Sequence, residues 1–404
     1  MNVHVVGASM FLPGGVRSRA DFGAALFEDE DHGDRAIAFS DDELRTDFAR
    51  FRIAPRQARV MDPQHLLVLD CAERALEDAG IHPTDLAGSQ TGVFVGMSES
   101  DFVHTLDVDK IADRNRSYLG IGNVRGAAAG RVSYTFDLHG PSWQVDTTCS
   151  SGLVALRHGI MALVSGDADL ALVIASHLVR SDFGKMIRAV TGALSASNSC
   201  RAFDARADGF TIGEGVVAVV LAPEGSGARS LGRVHCAVNH DGRTAGLTVP
   251  NLKAQRDVLE RALRMSGLDA SEIDYIEAHG TGTPLGDPIE VAALAAAYRT
   301  ADRKSPLLIG SNKPRFGHLE SASGLLSLMV AIEVLENQRP PGRTGTGQPS
   351  ELIPWAEHNI RPAFGEFDHP DKIDNVGVSA FGLSGTNAHA IVSRPRGTSV
   401  WNSL

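Results

Sequence analysis

The sequence predicts an α/β protein built in layers, and three observations carry the prediction. Short β-rich apolar runs alternate with helical patterns along the chain, the pattern of sheets covered by helices. The 404 residues exceed one small core and suit two fused halves or two domains. Two distant stretches also echo each other. Residues 149–164 read CSSGLVALRHGIMALV and residues 318–334 read HLESASGLLSLMVAIEV. Each opens on a reactive side chain, passes through small residues and becomes an almost wholly apolar helix, which must be buried. The echo implies two buried helices in equivalent places of two related halves, although small-residue helices are common enough to echo by chance.

In chain order, residues 3–6, 92–95, 170–175, 216–221, 275–277, 307–309, 376–378 and 390–392 read as buried strands. Residues 62–79, 152–164, 252–265, 287–298 and 324–337 read as helices. Residues 339–350, rich in Pro, Gly and Thr, read as a surface loop. The tail after Arg396 reads as a short flexible end, and no stretch is low-complexity.

Apolar residues make up 43% and charged residues 22%, as in soluble globular proteins. A net charge of −11 argues against a protein that neutralises nucleic-acid backbones. The four cysteines (Cys71, Cys149, Cys200 and Cys236) fit neither a zinc signature nor a dense disulfide framework. The N-terminus lacks the basic and apolar regions of a signal peptide. The apolar runs are too short to span a bilayer. These features predict a reduced, cytoplasmic protein without a membrane segment. The start at Met1 and the short tail predict a discrete protein.

Four motifs carry candidate chemistry. In Val145-Asp146-Thr147-Thr148-Cys149-Ser150-Ser151-Gly152, a strand-like approach and a Ser/Thr-rich turn put Cys149 at the start of an apolar helix. Unpaired N–H groups and the helix dipole favour a thiolate there and can hold an oxyanion. The competing reading is a buried structural cysteine, which is favoured for Cys71, Cys200 and Cys236. In the stretch Glu277-Ala278-His279-Gly280-Thr281-Gly282-Thr283-Pro284-Leu285-Gly286-Asp287-Pro288, His279 ends a strand beside flexible glycines. Asp287 and Pro288 then open a helix. In Lys313-Pro314-Arg315-Phe316-Gly317-His318-Leu319-Glu320, Lys313 is either surface-exposed or paired; if buried it needs an acceptor, and Glu320 is the obvious nearby one. The stretch Ser379-Ala380-Phe381-Gly382-Leu383-Ser384-Gly385-Thr386 is a glycine-punctuated turn whose N–H groups can face a substrate. Structural roles stay open for each histidine taken singly.

Together these motifs resemble those of the β-ketoacyl synthases, and among them the ketosynthases of modular polyketide synthases. Met61-Asp62-Pro63-Gln64, Cys200-Arg201-Ala202-Phe203-Asp204 and Gly213-Glu214-Gly215 support the resemblance, which spans residues 2–393. It implies a thiolase-like layered αβαβα fold of two related halves, here 1–235 with the nucleophile and 236–396 with the histidines, followed by a tail at 397–404. It implies catalytic Cys149, His279 and His318, supported by Lys313, and an oxyanion hole from the N–H groups of Cys149 and Leu383. Thr148, Thr281, Thr283, Phe316, Phe381 and Leu383 would line the substrate pocket. It also implies a homodimer, an acyl carrier protein or coenzyme A thioester as partner, and no metal or organic cofactor.

The chemistry so implied is loading of an acyl chain on Cys149, then decarboxylative condensation with a malonyl-type thioester. Acyl transfer to an oxygen or nitrogen nucleophile is a second reading, and a catalytically silent partner protein a third. The chain departs from the family pattern at Thr148, at Gly152, at Pro314-Arg315-Phe316 and at Ser176-His177. These departures bear on the acceptor and on the bond formed. Arg45, Arg50, Arg52, Arg56 and Arg59 form the densest basic stretch, either a carrier-protein contact or an ordinary solvated face.

Overall fold

The computed structural model describes residues 1–27, 36–45, 49–98, 100–342, 347–364 and 372–395. The expected tail at 397–404 lies outside the described residues, as does part of the 339–350 loop. Eleven strands are present among the described residues. They are β1 (Val3–Phe11), β2 (Thr91–Met97), β3 (Ser142–Val145), β4 (Leu170–His177), β5 (Gly215–Pro223) and β6 (Gly232–His240), then β7 (Tyr275–Glu277), β8 (Leu307–Gly310), β9 (Ile360–Pro362), β10 (Asn375–Phe381) and β11 (Thr386–Ser393). Their order in space is β3-β2-β4-β5-β1-β6-β11-β10-β7-β8-β9. Hydrogen bonding makes this one continuous 11-stranded sheet, whose N-terminal five and C-terminal six strands act as two sheets joined where His4 and Val5 of β1 pair with Arg233 and Gly232 of β6.

Alternation along the strands makes the layers. On β4, Ala171, Val173 and Ala175 face one core while Leu172 and Ile174 face another. On β5, Val217, Val219 and Leu221 take the first side, and Val216, Ala218 and Val220 take the second. Buried on both faces, such strands read as unbroken apolar runs. The shared central core holds the helices Ser151–Ser165 and Ser323–Asn337 between the two sheets. An outer core packs the helices Pro63–Asp78 and Ala127–Phe136 on the N-terminal sheet. The other packs Leu252–Ser266 and Gly286–Ala297 on the C-terminal sheet. Helices, sheet, helices, sheet, helices is the αβαβα layering expected.

The two central helices cross closely because each carries a glycine at the contact. A Cβ on Gly152 would lie 3.0 Å from the Ser321 carbonyl oxygen, and one on Gly324 would lie 2.7 Å from Leu153 Cγ. The two echoing stretches thus meet at one crossing.

Among the described residues, three strands and four helices of eight or more residues escape the sequence pattern. The strand β3 reads Ser-Trp-Gln-Val, is only partly buried and lies at the end of the sheet, so it shows no apolar run. In β6, Arg233, His235 and Asn239 interrupt the face turned from the central core, beside a buried Ala237. The strand β9 is three residues long. The helices Arg19–Phe27, Asp113–Asn123, Ala127–Phe136 and Asp182–Ala189 bury few residues each. Cys236 sits within β6. Among the described residues, no helix is long and apolar enough to cross a membrane.

Candidate active site

The site lies where the two central helices begin. A tight turn of 3-10 type, Thr148–Ser150, leads into the helix Ser151–Ser165. Thr148 takes φ +55°, an outlier for a β-branched residue. Side chains pin the turn: Asp146 Oδ1 accepts from Thr148 N (3.1 Å), and Ser151 Oγ accepts from Thr147 N (2.9 Å). The strained turn thrusts Cys149 out of the packed core, half-buried, into a cavity of about 660 Å³.

All four thiols are pushed up to about 12, each chiefly by burial. Position separates them: Cys71, Cys200 and Cys236 are buried, and only Cys149 lines the cavity. At Cys149 burial and the nearby Glu320 carboxylate oppose ionisation, while the N–H groups of Leu383 and Cys149 and the Lys313 cation favour it. Leu383 reaches the sulfur because Gly382 lies on the turn. A Cβ there would sit 2.4 Å from the Thr147 carbonyl oxygen and 2.8 Å from Thr148 Oγ1.

The two imidazoles face each other nearly edge to face, with ring centroids 5.4 Å apart. His279 follows β7, and its N–H donates to Glu290 Oε1 (2.7 Å) while Gly280 N–H donates to Oε2 (2.9 Å). His318 Nδ1 accepts from the Glu320 backbone N–H (3.2 Å) and from Ser323 Oγ (2.7 Å). A backbone N–H can only donate, so Nδ1 carries the lone pair and the neutral ring holds its proton on Nε2. Burial, reinforced by Lys313, drives both histidines well below the usual range, so both are neutral.

Lys313 does not pair with Glu320, as the sequence suggested. Its buried ammonium lies among Glu277, Glu290, Cys200 and Cys149, and burial lowers its pKa. Glu320 instead forms a bidentate ion pair with Arg188, Nε to Oε1 at 2.7 Å and Nη2 to Oε2 at 2.9 Å. The reason is backbone direction: with φ +37°, Glu320 points from its turn toward the helix Asp182–Ala189, away from β8. Phe316 is likewise misplaced by the sequence. It is buried in the central core against Phe22, ring centroids 5.5 Å apart, and does not line the cavity.

Thr148, Cys149, His279, Thr281, Thr283, His318, Glu320, Phe381 and Leu383 are brought together on the cavity wall. Sequence reasoning missed Arg188, Phe210 and Glu290. Glu290 was detectable, because it follows Asp287 by three positions on the inward face of one helix. Arg188 carried no signal, lying on a short helix that pattern reading did not find.

The chain matches the family models "Beta-ketoacyl synthase, N-terminal domain" over residues 28–225 and "Beta-ketoacyl synthase, C-terminal domain" over residues 233–345. It is 40% identical over 365 residues to a phenolphthiocerol/phthiocerol polyketide synthase of Mycobacterium tuberculosis, covering 87% of this chain and 16% of that protein. It is 40% identical over 350 residues to erythronolide synthase EryA2 of Saccharopolyspora erythraea, covering 85% of this chain and 10% of that one. The chain thus spans a small part of these relatives. Among solved structures it resembles the ketosynthase from module 6 of the bacillaene synthase of Bacillus subtilis 168, with a TM-score of 0.86 at 30% identity, covering 98% of this chain and 72% of that one. An oxazolomycin ketosynthase domain of Streptomyces albus JA3453 gives a TM-score of 0.87 at 29% identity, covering 98% and 75%.

Proposed function

Because the chain belongs to the β-ketoacyl synthase family, as a ketosynthase of the polyketide synthase type, we propose that it joins acyl units by decarboxylative Claisen condensation through Cys149. The observation that carries this reading is the convergence of one half-buried thiol and two neutral imidazoles on one cavity.

Cys149 attacks an acyl thioester, and its proton leaves on the carrier's thiol, giving acyl-Cys149 and a free carrier. The N–H groups of Cys149 and Leu383 receive the tetrahedral oxyanion. A malonyl-type thioester then loses carbon dioxide, and the electron pair of the broken C–C bond forms an enolate. His318 Nε2–H, and His279 beside it, donate to the enolate oxygen; a neutral ring does so without forming an ion pair that would hold the departing carboxylate in place. The enolate carbon attacks the acyl carbonyl, the C–S bond breaks, and the sulfur takes up a proton. Lys313 sets the field around both histidines, and Glu290 fixes the His279 backbone.

Two partners belong to the same reading. An acyl carrier protein delivers both thioesters, and the exposed Arg52, Arg56 and Arg59 offer it a basic approach. A second copy would cover β3, an edge strand flanked by exposed Trp143, Tyr134, Met161 and Val164. A cytoplasmic setting fits four free cysteines.

Intact-protein mass spectrometry after incubation with an acyl-carrier thioester tests the proposal. Wild type gains one acyl group, which is consumed on adding malonyl-carrier protein; Cys149→Ala gains none. An adduct that passes to an alcohol or amine, and never to malonyl-carrier protein, would replace condensation by ester or amide formation.

A further inference from the structure

We propose that the Arg188–Glu320 pair, braced by His177, selects acyl chains that carry a hydroxyl close to the thioester carbonyl. The inference rests on Cys149 as the acylated residue and adds the substrate class.

Both members of the pair line the cavity that holds Cys149, His279 and His318. Glu320 is two residues beyond His318, and its own N–H holds the His318 ring. Its carboxylate also acts on the Cys149 thiol. The pair therefore lies on the wall of the cavity that would hold the acyl chain, next to His318. Around it the wall is largely apolar, with Ile187, Phe210, Phe381 and Leu383.

The pair is built in. Arg188 is held by Glu320 and by the Gly184 carbonyl oxygen (2.9 Å), and its side chain is only 10% exposed. Behind the carboxylate, His177 is buried outside the cavity lining, with Nε2 3.7 Å from Glu320 Oε2. Burial pushes the Glu320 carboxyl up, but His177 and Arg188 outweigh it and leave the group below its ordinary value. Glu320 is thus a carboxylate when an acyl chain arrives.

An ionised carboxylate can only accept hydrogen bonds, and each oxygen has lone pairs beyond the one turned to Arg188. A hydroxyl satisfies it by donating. A keto oxygen cannot donate, and a methylene removes water from the pair while returning nothing. The three oxidation and substitution states of the carbon next to the α-carbon are thereby distinguished. A chain with a retained hydroxyl is the product of a ketone reduction not followed by loss of water, so that class of reaction must precede this one.

The test compares acylation of Cys149 by 3-hydroxybutyryl-, 3-oxobutyryl- and butyryl-pantetheine, followed by mass spectrometry. Wild type should favour the hydroxyacyl thioester by roughly tenfold or more, the value of one hydrogen bond to a charged group. In the double variant Arg188→Met with Glu320→Leu, the preference should reverse toward butyryl. If that variant does not fold, Glu320→Gln, which keeps the shape and loses the charge, should narrow the ratio below about threefold. Equal wild-type rates for the three thioesters would overturn the selectivity and leave the acylation intact. Failure of all three to acylate Cys149 would instead strike the site reading, and the inference with it.

Discussion

The two central helices are built by one device used twice. In each, a residue with positive φ opens a three-residue 3-10 turn and a fifteen-residue helix follows: Thr148 (φ +55°), Thr148–Ser150 and Ser151–Ser165 in the first; Glu320 (φ +37°), Glu320–Ala322 and Ser323–Asn337 in the second. The equivalences run Thr148 to Glu320, Cys149 to Ser321, Ser151 to Ser323 and Gly152 to Gly324. The first turn pushes its second residue into the cavity. The second turn buries Ser321 completely, with Oγ donating to the Ser176 carbonyl oxygen (2.6 Å). The cavity instead receives Glu320, and the imidazole of His318 from just before the turn. One turn presents a thiol and its equivalent presents a carboxylate, with the His318 imidazole just before it, so a repeated turn yields an asymmetric site.

Much of this was legible in the sequence. Both helices stood out because apolar residues fill them all round. Cys149 and the two histidines stood out because glycines and small residues crowd beside them. The alignment of the echo was off: matching Cys149 with His318 on chemical reactivity hid the true match with Ser321, which is set by backbone geometry. The Lys313–Glu320 pairing failed for the same reason. Nearness along the chain suggested it, whereas the positive φ at Glu320 turns the carboxylate toward a helix over a hundred positions earlier. Phe316 failed because a residue one step from a glycine turn can face either the pocket or the core, and periodicity does not decide between them.

The comparison can be broken most sharply at the loop that covers only the first turn. Gly382→Ala puts a methyl against the Thr147 carbonyl, lifts the Leu383 N–H from the sulfur and should cut acylation of Cys149 by about a hundredfold or more. Thermal unfolding should still show a folded protein. Acylation within about threefold of wild type would mean that the Leu383 N–H does not serve as an oxyanion donor.

The shared part of the device should respond alike on both sides. Gly152→Val and Gly324→Val each force a side chain into the crossing of the two helices and should each destabilise the fold by about 3 kcal/mol in denaturant titrations. If one were neutral, the crossing would be supported from one side only.

Iodoacetamide sharpens the contrast in exposure. Labelling of Cys149 should rise about tenfold per pH unit from pH 7 to 10, because burial and Glu320 hold the thiol protonated and the thiolate fraction grows as pH climbs toward a pKa of about 12. A plateau near neutral pH would show that the N–H groups and Lys313 win instead. In a Cys149→Ala background, a cysteine introduced by Ser321→Cys should stay unlabelled over the same range, since that position is fully buried.

The smallest effect is expected at Thr148, the first of the two positive-φ residues, and its match Glu320 should answer with the opposite sign. Thr148 carries backbone strain, and its buried Oγ1 has no hydrogen-bond partner. Thr148→Gly removes both, against the entropy that glycine gains in the unfolded chain, and should stabilise the protein by about 0.5–1 kcal/mol. Glu320→Gly relieves the same kind of strain but strips the bidentate acceptor from the buried Arg188 guanidinium, and should destabilise by about 3 kcal/mol. Opposite signs at two matched positions, read from urea midpoints at constant m-value, would show that Thr148 serves the geometry of its turn alone while Glu320 has become part of the electrostatics of the pocket.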